Sequence, residues 1–154
     1  MDYRELSPDR EFLARLETGA DWREEIESLA VEEDVDAAWF NAMGAVQDAV
    51  VWFYDQQEGE YESVEFEEPL EVAACMGNVS YLDREGQSPS GDRTQSGHGE
   101  RFAHTHAVLS RPSGQALAGH LDAGTVFAGE VYMRTFEEPL EREHDEETDL
   151  DLWL

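Results

Sequence analysis

The stretch "HTHAVLSRPSGQALAGHL", residues 104–121, gathers three of the chain's five histidines, His104, His106 and His120. Imidazole is well suited to bind a transition metal at neutral pH, so the question is whether the backbone lets these three act together. In a strand, residues two apart share a face, which points His104 and His106 the same way. "RPSG" is a turn signal: Pro112 suits its second position and Gly114 can supply a positive φ. A three-residue loop of Pro112, Ser113 and Gly114 sets Arg111 against Gln115, and counting back along the hairpin sets His106 opposite His120. His104 then lies diagonal to His120 on that face. Cross-strand neighbours stand ~5 Å apart and diagonal ones ~7 Å, close enough for three ring nitrogens to reach one ion. The set suits a tetrahedral zinc with an open fourth position. A slip of one residue would turn His120 away. The competing reading is a group of neutral core histidines bonded to backbone or carboxylate.

The elements that must position this hairpin are mostly strands. "TGADWREEIESLAVEEDV" carries the clearest helix signal, with Asp21 as cap, Glu24 at capping-box spacing, and Trp22, Ile26, Leu29 and Ala30 on one face. A helix over about 22–34 follows. "AAWFNAMGAVQDAVVWFYD" is rich in aromatic and β-branched residues and predicts two strands with a bend at Gly44. "EYESVEF", the longer and largely buried "LEVAACMGNVSYL", the histidine hairpin and "TVFAGEVYMRTF" continue the series. Residues 83–101, "DREGQSPSGDRTQSGHGER", read as an exposed loop, and about 137–151 as a hydrated acidic C-terminal segment. The whole, residues 1–154, is expected to be one α+β domain: a mostly antiparallel sheet of seven or eight strands, mainly hairpin-connected, with one main helix.

Charge bounds the function. The chain has 37 acidic residues against 10 basic ones, all arginine, for a formal net charge of -27. Four Trp, seven Phe and five Tyr argue for a folded chain rather than a disordered acidic one. The composition therefore implies a halophilic protein whose acidic surface is tolerated because concentrated salt screens self-repulsion. Between residues 83 and 130, six acids and four arginines leave a balance of only -2. That stretch, which holds four of the five histidines, is expected to meet another subunit or a ligand that carboxylates would repel. No apolar run approaches the ~20 residues of a membrane span, and "MDYRELSPDR" lacks a signal-peptide pattern, so a cytoplasmic protein is expected. Cys75 stands alone in "EVAACMGNV", which excludes an internal disulfide and suggests a buried thiol.

Several of these pieces together resemble the PPC domain (Plants and Prokaryotes Conserved domain). They are "RLETGAD", "NAMGAVQDAVVWFYD", "EVAACMGNVS", the histidine hairpin, "GTVFAGEVYM" with Glu130, and Arg142 followed by "DEETDLDLWL". The match spans nearly the whole chain, which, with its acidity, resembles a haloarchaeal-type member. The resemblance implies a mixed antiparallel sheet with a flanking helix, assembled as a homotrimer, in a family commonly labelled as candidate DNA-binding proteins. It implies a metal at His104, His106 and His120, and it suggests that Asn78 lies near their pocket.

Two functions compete on this basis. One is a trimeric binding or assembly module holding a metal. The other is a metal-dependent enzyme acting on a small molecule, with Glu130 as fourth ligand or general base. No serine elbow, phosphate-cradling glycine loop or distinct carboxylate pair supports the enzyme. Direct DNA binding lacks both an AT-hook and a basic stripe; it would need Arg84, Arg93, Arg101 and Arg111 to supply the contacts. His98 and His144 are expected to be solvent-exposed.

Overall fold

The computed structural model describes residues 3–82, 100–140, 142–148 and 150–153. Among these residues ten strands and one helix follow in the order β1 (Pro8–Leu16), α1 (Trp22–Glu32), β2 (Ala38–Val46), β3 (Ala49–Asp55), β4 (Glu60–Phe66), β5 (Leu70–Leu82), β6 (Glu100–Ser110), β7 (Ala116–Ala123), β8 (Val126–Phe136), β9 (Arg142–Asp145) and β10 (Leu150–Trp153). The first eight form one sheet in the order β1-β8-β2-β5-β6-β7-β3-β4, and every pairing in it is antiparallel. The last two form a separate hairpin.

Asp21 starts the helix as read from the sequence, accepting from the backbone N–H groups of Arg23 and Glu24. Trp22, Ile26 and Ala30 are fully buried on its inner face. The helix stops at Glu32, two residues earlier than the periodicity suggests. Asp34 turns to φ 52°, and the Val35 N–H returns to the Ala30 carbonyl. The helix lies against β6 and β7. Those strands pair only from Ser110↔Ala116 to His106↔His120, and beyond that point the Ala103 N–H donates to Glu27 Oε1 instead. Thr105 bridges the widening gap through Oγ1 to the Leu121 carbonyl at 2.5 Å. Phe40, Leu109, Leu121, Val131 and Met133 complete the core beneath the helix.

Gly44 does not end a strand. It sits inside β2 at a bulge, with φ 152°, and a Cβ there would stand 2.1 Å from the Ala128 carbonyl oxygen. Glycine therefore lets the backbone of β8 close on β2. The break falls at Gln47 and Asp48 instead. Two short links that look like hairpins are crossings: β2 and β3 are not paired, nor are β7 and β8. Asp48 ties these links together by accepting from the N–H and hydroxyl of Thr125. The expected loop at 83–101 lies outside the described residues, except that Glu100 and Arg101 begin β6.

Candidate metal centre

The turn that sets the histidine register is built as its residues require. Gly114 adopts φ 81°, its N–H donates to the Arg111 carbonyl at 2.8 Å, and the Arg111 N–H donates to the Gln115 carbonyl at 3.0 Å. From there the ladder counts back to His106 directly opposite His120. On the other side β5 places Met76 opposite His106 and Asn78 opposite His104.

Because paired residues share a face, the register can be followed across the whole sheet. Leu13, Tyr132, Asn41, Met76, His106, His120, Trp52 and Ser63 form one row on the face away from the helix. His104 lies one row away, beside Asn78 and Trp39. The three ring centroids are 5.0–5.7 Å apart, and one ligand nitrogen from each ring lies within 4.8 Å of the others.

Burial holds these imidazoles neutral. His104 is pushed down to about 3 by desolvation, then by the charge of Arg142 and the two neighbouring rings. His120 is pushed down to about 4 by burial, then by His106, Arg23 and Arg142. Burial also lowers His106. At neutral pH all three keep a free lone pair, the form a metal takes. The donor set is one a transition metal can take: the Nε2 atoms of His104 and His106 are 3.2 Å apart, close to the ~3.3 Å between two nitrogens bound ~2.05 Å from a tetrahedral ion. That spacing also suits one neutral ring donating to the other. It is the third ring that favours an ion, since a hydrogen-bonded pair has no need of it.

The surroundings are cationic and aromatic. Arg23 is buried at the start of the helix and pairs with Asp122 at 3.2 Å and Glu27 at 3.6 Å. Phe102 receives the guanidinium groups of both Arg23 and Arg142 over its ring. Arg142, from the C-terminal hairpin, donates through Nη2 to Asn78 Oδ1 and through Nη1 to the Asp151 carbonyl. Tyr54 on β3 donates to the Thr148 carbonyl in the hairpin turn. The hairpin is thus anchored to β3 and β5 beside the histidines.

Other residues named from the sequence fall elsewhere. Glu130 is exposed on the same sheet face, but β2 and β5 lie between its strand and β6, leaving it roughly 14 Å from the cluster at ordinary strand spacing. Within one chain it is too far to be a fourth ligand or a base. Arg101 is engaged by Asp34 and the Val35 carbonyl, and Arg111 by Glu68 and Gln115. Arg84, Arg93 and His98 lie outside the described residues. His144 is exposed, as expected, and stands 3.4 Å from Asp151. The C-terminal segment, expected as a hydrated acidic face, keeps Glu137, Glu143, Glu146 and Glu147 exposed, and its strands β9 and β10 bring Arg142 to the site. The one basic residue after Arg134 was the available signal, and composition alone gave it no role.

The model of the Plants and Prokaryotes Conserved (PCC) domain matches residues 3–137. A solved structure of a metal-containing protein from Archaeoglobus fulgidus is 37% identical, with a TM-score of 0.85 over 100% of this chain and 99% of that one. A plant- and prokaryote-conserved protein from Pyrococcus horikoshii is 25% identical, with a TM-score of 0.84 over 100% and 97%. A candidate DNA-binding protein from Bacteroides thetaiotaomicron, 18% identical, shares the fold at a TM-score of 0.77 over 97% and 96%. No curated protein matches the chain. The chain belongs to the Plants and Prokaryotes Conserved domain family.

Proposed function

We propose that this protein is a trimeric binding and assembly module that holds a zinc ion on His104, His106 and His120. The observation that carries the reading is the convergence of three neutral imidazoles, with ligand atoms within 4.8 Å, on one sheet face. A 37% identical relative described as metal-containing supports it. Three nitrogen donors without a thiolate suit zinc and leave one coordination position open. A zinc ion there supplies Lewis acidity and acidifies a bound water.

The same face supports self-association. Leu13 is 80% exposed, Met43 61% and Met76 48%, and Trp39, Val108 and Tyr132 add to the patch. An apolar sheet face of this kind is what a second copy of the chain would cover. The count of three rests on the family resemblance. A DNA role finds little support in the charge, because phosphate binding depends on cations and Arg101 and Arg111 are already committed to carboxylates.

Elemental analysis of protein purified without added metal tests the site. About one zinc per chain is expected in the wild type and almost none in His106→Ala; equal metal in both would dismiss it. Sedimentation equilibrium at molar salt tests the assembly, with three times the 17.4 kDa chain mass expected and a monomer contradicting it.

A further inference from the structure

We infer that the histidine site binds a small carboxylate, anchored by Arg142 and Trp153 of the C-terminal hairpin. The inference deepens the metal reading and rests on it for the identity of the site.

Arg142 is 7% exposed, yet it forms no ion pair with a carboxylate among the described residues. Arg10, Arg23, Arg101, Arg111 and Arg134 each reach one within 4.0 Å. The partners of Arg142 are neutral oxygens, the Asn78 amide and the Asp151 carbonyl, and its Nε is buried with no partner. In a chain with 37 acidic residues, leaving a buried guanidinium unpaired is a local choice rather than a shortage of acids. Such a charge is costly unless an anion compensates it.

Asp151, across the hairpin, acts on Arg142 through its charge but forms no ion pair with it. The Asp151 carboxylate lies 3.4 Å from His144 Nδ1, while only its backbone oxygen meets Arg142. Trp153, directly opposite Arg142 in the hairpin, likewise has a buried indole N–H with no acceptor. Two residues with unanswered donors therefore face each other across the hairpin whose Arg142 reaches Asn78 beside His104. Arg142 lies over the Phe102 ring, which stacks on His104, and it bonds Asn78 directly opposite His104, which places it beside the site.

What is missing is an acceptor with negative charge and two oxygens. A carboxylate has that count and planar shape, and it pairs with guanidinium in charge-assisted hydrogen bonds. The charge of a bound metal adds to the same demand. Phosphate, with more oxygens and more charge, would leave most of its acceptors unanswered by two donors. The near-neutral sequence around the histidines then has a reason: nearby acids would compete with the ligand for Arg142.

Isothermal titration calorimetry with sodium acetate, at fixed total ionic strength in chloride, tests the inference on intact protein. Acetate is expected to bind the wild type. Binding should weaken about ten- to a hundredfold in Arg142→Met and about tenfold in Trp153→Phe, which removes one donor without disturbing the ion. Arg142→Lys should recover part of the loss. Inorganic phosphate should bind more weakly than acetate. Zinc is measured separately on each sample by elemental analysis. Acetate binding that depends on Arg142 without zinc supports the anion site and overturns the metal reading. Zinc present with no acetate heat, acetate binding equal in all variants, or tighter binding of phosphate overturns the anion site.

Discussion

Asn78 and Arg142 tie the C-terminal hairpin to the sheet: the Arg142 guanidinium donates to the Asn78 amide oxygen, and Asn78 itself lies directly opposite His104. One side chain thus links an element outside the matched family residues to β5, the strand paired with the one that carries His104 and His106. The link explains how a guanidinium can be held beside imidazoles that its own charge makes harder to protonate.

Asn78→Ala should cost about 1.5–3 kcal/mol, because it leaves a buried charged donor without its acceptor. Chemical denaturation at constant molar salt measures it. A loss below about 0.5 kcal/mol, the range of ordinary surface changes, would show that the bond does not hold the hairpin.

Gly77 is the position where the site depends most directly on the absence of a side chain. A Cβ there would stand 2.0 Å from the His104 carbonyl oxygen and 2.5 Å from the Phe40 ring. Neither neighbour is a flexible tip, so Gly77→Ala must move β6 or the core, at a cost of about 3 kcal/mol. It should also lower zinc content by displacing His104. Thermal melts and elemental analysis check both; an unchanged midpoint with full zinc would contradict the packing described.

Cys75 supplies a pH test. Burial raises its thiol to about 11, partly offset by Trp22. Its folded pKa lies above the unfolded value, so at pH 8 the native thiol stays protonated and inert, whereas the unfolded chain ionises more readily. Between about 9 and 11 the unfolded state therefore loses a proton that the folded state keeps, and stability should fall as pH rises through that window. Iodoacetamide at pH 8 should label Cys75 only after denaturation; fast native labelling would contradict its burial.

The charge of -27 predicts a salt-dependent fold. The screening length shrinks from ~10 Å at 0.1 M to ~3 Å at 1 M, so self-repulsion should fade over that range. The thermal midpoint by circular dichroism should rise steeply with potassium chloride. A midpoint equal at 0.1 M and 2 M would remove the inference of salt adaptation.

Much of this was legible in the sequence where chemistry is local. The Pro112-Ser113-Gly114 turn set the register, and the register brought His106 against His120. Asp21 marked the helix start. Features made by distant segments were not readable. Gly44 looked like a break because only the approach of Ala128 from β8 reveals why a glycine is needed there. The crossings between β2 and β3 and between β7 and β8 follow from sheet order, which short links do not reveal. Glu130 shares a face with the histidines, but lateral distance depends on the two strands inserted between them. Arg142 was named for the family resemblance, but its place beside the histidines was not readable in an acidic ending whose composition suggested solvent.

The central claim is that one metal ion sits on three named imidazoles, and anomalous diffraction at the zinc absorption edge from crystals grown without added metal tests it most directly. The account predicts a single strong peak per chain, about 2.1 Å from a ring nitrogen of each of His104, His106 and His120. A cluster with no peak, or a peak held elsewhere in the chain, would contradict it.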